Sequence, residues 1–381
     1  MRILLVSTSS GSRGGGEIFL LYLGEALKAA GHEPMLWCAD HPRMDELAAK
    51  FQDFGIVHRS KYKNSYYDRI GWSLGAFLDW GTSRRIATEW RLISPDVIHV
   101  NKQNLEDGLD LVRAAGWSGI PSVCVIHITQ SARWLGARFG GFRDLLSTHV
   151  LRRFSGPFVT TPETRAASLR KIVGTSKAIH VIHNGVKSQV ARKDARKAIR
   201  IELAIDDKMP LLISLGRMEE QKQPLEMLRL AKRCCELHPG AVKFVWVGSG
   251  SMEPVWRAKR LQMGLENDVF YVPWTDCFGD WIHASDAMLH TAKYEGMPFA
   301  ILEALAGSLP VCMTRDLIKE IPPFNAQGIV PIDDDFGWLN LVIDPESRAT
   351  LAAHASQLHA ERFSLLRMGS DYEAVYQSLL R

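Results

Sequence analysis

Short apolar runs, each closed by turn-forming residues, recur along the chain and constrain its fold more than any other feature. In the first half they occupy residues 3–7, 34–39, 97–100, 122–128 and 157–160. Most are separated by stretches long enough for a helix, and runs that are apolar on both faces are typical of parallel strands buried between helices. The pattern therefore predicts the α/β fold class with parallel sheets.

The same pattern restarts after the middle of the chain. Its members there are residues 179–182, 211–215, 243–247, 269–272, 287–289 and 310–313. A chain of 381 residues exceeds one ordinary compact core, so we expect two similar α/β domains. The charged stretch 187–210 reads as a linker followed by a surface helix, which places the hinge near residue 188.

Composition excludes several classes of protein. Hydrophobic residues make up 46% and charged residues 23% of the chain, as in globular proteins. No apolar run approaches the roughly 18 residues that span a bilayer, and the start MRILLVSTSS lacks the long apolar region of a signal peptide. The net charge of +4 does not call for nucleic acid. We expect a cytoplasmic protein.

A glycine run follows the first predicted strand. Gly14, Gly15 and Gly16 open a helix that ends near Gly31, and free amides at a helix start favour phosphate. The spacing does not match G-x-G-x-x-G. Asp40 nevertheless stands where a ribose-binding acid would lie, so a nicotinamide-dependent oxidoreductase stays open, as does a purely structural turn.

A second group of candidates lies in the later half. Gly216, Arg217 and Lys222 follow a predicted strand, at the sheet edge where α/β proteins bind ligands. The two cations could neutralise a diphosphate, or could be a solvated pair. Gly248 follows the next strand and permits close backbone approach.

Two glutamates, Glu295 and Glu303, stand eight positions apart in KYEGMPFAILEALAGSLPV. Proline is favoured in a first helical turn, so we predict that a helix begins near Pro298, with Glu295 in the loop before it and Glu303 in its second turn. The carboxylates then face different parts of one extended ligand. Each can accept hydrogen bonds from neighbouring hydroxyls.

The motifs together resemble those of the retaining glycosyltransferases of family 4, which have the GT-B fold and an E-x7-E motif. The resembling segments are GGGE at 14–17, PDVIHV at 95–100, a strand ending at His127, IHNGV at 182–186, SLGRMEEQK at 214–222, WVGSG at 246–250 and EGMPFAILEALAGSLPV at 295–311. The resemblance implies two facing Rossmann-like domains, residues 1–188 for the acceptor and 189–360 for a nucleotide-sugar. It also implies that a final helix within 361–381 packs back on the first domain.

Carried over by position, the resemblance implies a catalytic set. In it Arg217 and Lys222 bind the diphosphate, Glu295 binds the donor sugar, and His127 lies under that sugar. Glu303 would bind the ribose. The remaining implied donor-binding residues are Gly14, Gly15, Gly16, Gly216, Gly248, Met297, Pro298 and Phe299. A buried structural histidine is the alternative for His127.

The implied reaction moves a hexose-type sugar from a UDP- or GDP-linked donor to an acceptor hydroxyl, in glycan, polysaccharide or glycoconjugate biosynthesis. Cations at Arg217 and Lys222, across the pocket from the glutamates, would stabilise the departing diphosphate, so neither a metal nor another cofactor is expected. Asp333, Asp334 and Asp335 read as a solvated turn. Ser308 and the residues after Met313 depart from the family pattern, which keeps a catalytically degenerate nucleotide-sugar-binding protein as an alternative.

Two regions could meet the acceptor or its surroundings. Tyr66, Tyr67 and Trp72 offer aromatic faces for a sugar, although ordinary packing explains them equally well. Arginines alternate with large apolar residues over 133–153, which indicates either a solvated helix or a basic amphipathic surface for anionic lipid. The second alternative suggests a lipid-linked acceptor and peripheral membrane contact.

Overall fold

The computed structural model describes residues 1–9, 11–62, 72–188 and 190–381. The chain divides into two compact units. The first unit contains Met1–Gly185 and Leu365–Arg381, and the second contains Val186–Ser364.

The first unit is built on a parallel seven-stranded sheet of order β3-β2-β1-β4-β5-β6-β7. Its strands are β1 (Arg2–Ser7), β2 (Glu33–Ala39), β3 (Ile56–Ser60), β4 (Val97–Lys102), β5 (Ser122–Ile126), β6 (Phe158–Thr160) and β7 (Ile179–Val181). The central strands β1 and β4 are almost wholly buried. Burial on both faces explains why their sequences read as continuous apolar runs.

Helices cover both faces of this sheet, as the crossover connections of parallel strands require. They are α1 (Gly15–Ala29), α2 (Asp45–Gln52), α3 (Trp72–Leu78), α4 (Trp80–Ile93), α5 (Leu109–Ser118), α6 (Gly140–Arg153) and α7 (Glu163–Val173), with a 3-10 turn at Pro42–Met44.

The second unit has a parallel six-stranded sheet of order β10-β9-β8-β11-β12-β13. Its strands are β8 (Leu211–Leu215), β9 (Lys243–Val247), β10 (Val269–Val272), β11 (Ala287–His290), β12 (Val311–Thr314) and β13 (Ile329–Ile332). Trp246, Trp256 and Trp338 lie in its core, which explains how short strands can bury enough apolar surface.

The helices of the second unit again alternate with its strands. They are α8 (Ala195–Glu202), α9 (Pro224–Leu237), α10 (Glu253–Gln262), α11 (Phe278–Ala284), α12 (Phe299–Ala306), α13 (Arg315–Glu320), α14 (Gly337–Ile343) and α15 (Pro345–Leu358). Shorter turns are 3-10 at Glu220–Lys222 and Pro322–Phe324, and π-helical at His359–Phe363.

The last helix, α16 (Leu365–Leu379), belongs to the first unit and packs on α1. Gly369 allows the two helices to approach closely, because a Cβ there would lie 2.9 Å from that of Ala26. Deeper in the contact, Tyr376 Oη lies 2.7 Å from Nδ1 of the buried His99 on β4. The final helix is thus tied to the centre of the first sheet.

The α/β class with two parallel sheets is confirmed, but three strand assignments need correction. The run 179–182 was placed with the second half of the sequence pattern, but Ile179–Val181 form β7 and pair with β6 in the first sheet. The edge strand β3 was missed because His58 and Arg59 break its apolar run, and β13 because it is short and contains Pro331. Over the described ranges, no helix combines the length and the hydrophobicity needed to cross a membrane.

Candidate functional site

In both sheets the order in which the chain adds strands reverses at the centre, and the candidate residues lie at that point. In the first sheet the chain leaves β1 toward one edge and β4 toward the other, and in the second sheet β8 and β11 diverge in the same way. Ligands of open α/β sheets bind beyond the carboxyl ends of strands at such switch points.

In the second unit, three charged or titratable side chains meet at the switch point. Lys222 ends the 3-10 turn after β8, and its Nζ contacts Oε1 of Glu295 in the loop after β11. His290, the last residue of β11, brings Nε2 to 3.3 Å from the same oxygen. The side chains of Lys222 and Glu295 are only 15% and 8% exposed. Lys222 therefore does not stand across the pocket from Glu295, as the sequence suggested, but pairs with it.

The charge state of this cluster follows from its neighbours. Burial alone would raise the pKa of Glu295, but Lys222 and His290 outweigh it and lower that pKa to about 2. Burial also lowers the pKa of His290. The cluster thus holds an anionic Glu295 at neutral pH, and a carboxylate of such low basicity is a poor proton acceptor.

Glycines bring the neighbouring loops close to this cluster. Gly216, at the end of β8, has φ of +147° and its α-carbon faces the Lys222 side chain, since a Cβ there would lie 3.5 Å from Lys222 Cε. A Cβ at Gly248 would overlap the carbonyl of Gly216. Gly248 therefore requires glycine for backbone packing, and Gly216 for its positive φ, whatever else they contact.

The helix α12 begins where the sequence predicted. Pro298 is its N-cap residue, so Glu295 lies in the preceding loop and Glu303 in the second turn, 5% exposed. Met297 and Phe299 are buried beside it. Arg217 is exposed in the loop after β8, while its neighbour Glu219 accepts hydrogen bonds from Ser251.

In the first unit, the glycine run forms the start of α1. Gly14 is the N-cap residue, and a Cβ on Gly14 would overlap the side chain of Glu17. A Cβ on Gly16 would overlap Gln103, whereas Gly15 has no heavy atom within 4 Å of such a position. Gly14 and Gly16 are therefore explained by packing, and Gly15 presents open backbone.

His127 is joined to this helix start through Asn101. Asn101 Nδ2 donates to the carbonyl of Gly16 at 3.0 Å, which turns its Oδ1 toward His127 Nε2 at 2.7 Å. His127 must then carry its proton on Nε2 and leave Nδ1 as an acceptor. Burial lowers its pKa to about 4, so the ring is neutral at pH 7. The Phe19 and His127 rings pack edge to face, with 4.8 Å between their centroids, which helps to hold the imidazole plane.

A buried ion pair braces the adjoining loop. Lys102, fully buried at the end of β4, lies 3.6 Å from Asp107 Oδ1. Asp107 also accepts from the amides of Gln103 and Asn104 and from the hydroxyl of Thr8. The loops after β1 and β4 are thereby held together beside the glycine run.

Asn101, Lys102 and His290 were not found by sequence reasoning. Asn101 and Lys102 follow the PDVIHV motif directly, so their position after a strand was an available signal. His290 carried none, because it reads as part of a strand and acquires its partner only through the fold.

Other sequence candidates fall elsewhere. Tyr66 and Tyr67 lie outside the described residues, as does the side chain of Trp72. Asp40 is ion-paired with Arg59, whose Nε is 3.2 Å away. Ser308 adopts the left-handed φ of +60°, which explains why glycine would be expected there. Thr314, directly after Met313, caps α13 by accepting a hydrogen bond from the amide of Leu317.

The acidic run behaves as predicted, as part of a turn after β13. Asp333 pairs with Arg315 and Asp335 accepts from the amide of Gly337. Within the described ranges, no group of three or more His, Cys, Asp or Glu side chains could hold a metal ion.

Two family models match consecutive parts of the chain. The family model described as Glycosyltransferase Family 4 matches residues 13–190, and the one described as Glycosyl transferases group 1 matches residues 195–320. The solved structure of Anabaena Alr3699/HepE in complex with UDP and glucose superposes with a TM-score of 0.76 at 16% identity, covering 99% of this chain and 100% of that one.

Two curated relatives differ in the donor that their names give. The UDP-Gal:alpha-D-GlcNAc-diphosphoundecaprenol alpha-1,3-galactosyltransferase of Escherichia coli is 29% identical over 58% of this chain and 58% of its own length. The GDP-mannose-dependent alpha-mannosyltransferase of Mycobacterium tuberculosis is 26% identical over 81% of this chain and 78% of its own. The chain spans about half the length of several of the curated relatives it matches.

Two Rossmann-like units with ligand-binding loops at their switch points define the GT-B class of glycosyltransferases. The two family models together cover most of the sequence. The chain belongs to glycosyltransferase family 4.

Proposed function

We propose that the chain is a retaining, metal-independent glycosyltransferase that moves a hexose-type sugar from a nucleotide-diphosphate-sugar to an acceptor hydroxyl in glycan biosynthesis. The observation that supports this most directly is the buried Lys222–Glu295 pair at the switch point of the second sheet. It supplies a cation for a diphosphate and, beside it, a carboxylate for sugar hydroxyls.

Charge development in the reaction suits these residues. Breaking the bond between sugar and phosphate places negative charge on the departing diphosphate, which Lys222 and the exposed Arg217 stabilise. Once Lys222 turns toward the diphosphate, Glu295 accepts hydrogen bonds from the donor sugar. Glu303 binds the ribose hydroxyls from the second turn of α12.

The protonation states support retention without a dedicated protein base. Glu295, with a pKa of about 2, is too weak a base to activate an acceptor hydroxyl at neutral pH. In the proposed mechanism the departing phosphate takes that proton. His127 contacts the donor sugar as a neutral ring, so it does not oppose the positive charge that develops there.

The donor is proposed to be UDP- or GDP-linked, and the acceptor to be a sugar, a lipid-linked sugar or another hydroxyl compound. The relatives named above use UDP-galactose and GDP-mannose according to their names, and the solved structure contains UDP. The family therefore accommodates both bases, which makes a nucleotide screen the first experiment.

The test measures thermal stability with UDP, GDP and their sugars, since a ligand that binds only the folded protein raises its stability. Glu303→Ala should weaken nucleotide binding about tenfold to a hundredfold through loss of charge-assisted hydrogen bonds. Glu266→Ala, an exposed glutamate of the same unit, is the control. Unchanged stability with every nucleotide and nucleotide-sugar would refute the proposal.

Retention is tested by the slow hydrolysis of the identified donor in the absence of acceptor. Proton NMR of the first sugar released should show the anomeric configuration of the donor. The inverted anomer would refute retention, and loss of turnover with a chelator, restored by a divalent cation, would refute metal independence.

A further inference from the structure

Exposed aromatic side chains are concentrated on one part of the first unit. Among the side chains that the structure describes, every exposed Trp or Phe other than Trp274 belongs to this region. They are Trp80, Trp117, Trp134, Phe139 and Phe142, joined by exposed Leu74, Leu78, Leu135 and Leu145. These nine residues are named the aromatic patch. Such clustering marks an interaction site rather than scattered surface apolar residues.

The patch is carried by helices that pack on one another. α3 packs against α5 and α6, and α4 packs against α5. The ring centroids of Trp80 and Trp117 lie 5.7 Å apart with tilted planes, and those of Phe77 on α3 and His149 on α6 lie 5.4 Å apart. The exposed residues therefore belong to four helices that pack on one another and to the segment just before α6.

The exposed apolar residues of α6 are distinct from those that this helix buries in the core. In α6 the residues Leu146, Val150 and Leu151 face inward and are buried, so the helix already has its apolar face. Phe142 and Leu145 lie on its opposite side, 51% and 64% exposed. Just before the helix, Trp134 is 61% and Phe139 72% exposed. These side chains lie largely at the surface of the unit rather than in its core.

The charge around the patch is positive. The exposed arginines of these elements are Arg84, Arg85, Arg91, Arg133, Arg138, Arg152 and Arg153.

The acidic side chains of the same elements are engaged by donors of the protein. Asp144 accepts from the amides of Ala132 and Arg133, and Asp79 from that of Thr82. Glu89 accepts from the Trp37 indole and the Ser60 hydroxyl, and Asp110 from the Tyr62 hydroxyl. None of these four carboxylates is exposed, whereas the seven arginines are, so the exposed side chains of these elements are mainly apolar or cationic.

We propose that the aromatic patch docks on an anionic lipid bilayer, with Trp134, Phe139 and Phe142 entering the interface and the flanking arginines contacting acidic headgroups. Aromatic rings favour the boundary between water and lipid, and arginine adds electrostatic attraction to acidic membranes. A second copy of the chain fits this patch poorly, because the arginines of the two copies would face and repel each other. The docking does not depend on the proposed transferase activity.

The experiment measures co-sedimentation of the full chain with vesicles of phosphatidylcholine, with and without phosphatidylglycerol. The wild-type protein should bind only the anionic vesicles, and less at high salt. The triple variant W134S/F139S/F142S should lower the partition coefficient more than about tenfold. The variant R133E/R138E should lower it at least about tenfold, since each arginine near an anionic surface contributes about fivefold.

The matched control is V255S/L261S on α10, which also combines exposed apolar residues with Arg257 and Lys259. It should bind as the wild type does. All variants should have melting temperatures close to that of the wild type, because the substituted side chains are exposed. Nucleotide binding, measured without lipid, reports separately on the proposed function.

Failure of the wild-type protein to bind anionic vesicles would overturn the proposal. Equal binding by the triple variant would do the same. A concentration-dependent dimer in ultracentrifugation that the triple variant abolishes would assign the patch to a second copy instead.

Discussion

The two switch points of the molecule use their buried ion pairs differently. In the first unit, burial keeps His127 a neutral ring and Asn101 ties it to the start of α1, while the buried Lys102–Asp107 pair braces the adjoining loop. In the second unit, the buried ion pair is formed by the candidate site residues Lys222 and Glu295 themselves. The same position in a parallel sheet can therefore present either a neutral ring or fixed charge as its candidate group, depending on a few residues near the strand ends.

The two arrangements suit different chemistry. Fixed charge is useful where a diphosphate departs, while a neutral polar ring suits a sugar that becomes positive. Each prediction below alters one side of this comparison.

The largest effect is expected from the charged site. Lys222→Ala should lower turnover of the identified donor about a hundredfold to a thousandfold, because a preorganised charge facing the leaving group is lost. Lys293→Ala, an exposed lysine two residues before Glu295, is the control and should retain turnover. Near-normal turnover by the Lys222 variant in a steady-state assay would remove Lys222 from the mechanism.

The ion pair also predicts a stability effect. Glu295→Ala leaves the Lys222 ammonium without its buried partner and should lower the free energy of unfolding by about 3 kcal/mol. Adding Lys222→Met should recover much of that loss, which a urea double-mutant cycle can measure. Glu236→Ala, from an exposed helical pair with Lys232, should cost less than about 0.5 kcal/mol. A loss below about 1 kcal/mol for Glu295→Ala would indicate that Lys222 turns into solvent.

The stability of the first unit should instead be sensitive to mild acid. Burial lowers the pKa of His99 to about 3, below the 6.5 usual for histidine, so the unfolded chain takes up a proton first as pH falls. The stability from neutral His99 is complete above about pH 6.5 and is lost progressively toward pH 3, with about 2 kcal/mol gone at pH 5.

His99→Leu should therefore flatten the change in unfolding free energy between pH 7 and pH 5 by about that amount. Tyr376→Phe removes the hydrogen-bond partner of His99 but keeps the ring buried, so it should preserve the pH dependence. Identical slopes for the wild type and His99→Leu would contradict the neutral burial of His99.

The smallest effect is expected at Asn101. Asn101→Ala removes the acceptor that orients His127, and turnover should fall up to about tenfold, the equivalent of one hydrogen bond, with nucleotide affinity unchanged. Asn101→Asp keeps an acceptor beside Nε2 and should raise the pKa of His127, observable by NMR. An unshifted His127 signal in that variant would contradict the contact.

Much of this architecture was readable from residues. The apolar runs predicted most of the strands, and Pro298 predicted where α12 begins. Strands β3 and β13 escaped because an edge strand needs no continuous apolar run. The assignment of residues 179–182 to the second half failed because periodicity identifies a strand but not the sheet it joins.

The candidate site divides in the same way. The places of the glycines and of the two glutamates relative to strand ends and to the start of α12 follow from local backbone rules. The resemblance to family 4 gave their expected roles. The pairing of Lys222 with Glu295, separated by 73 positions, required the strand order β8-β11. His290 and Asn101 likewise lie in the two sites only because of the order of the strands in each sheet.

The sequence by itself determined the α/β class, the starts of α1 and α12 and the family, because these depend on short-range periodicity, capping and motif order. Only the tertiary structure decided which side chains share a charge, which histidines stay neutral and which aromatic residues remain outside the core. Those properties depend on burial and on contacts between residues far apart in the chain.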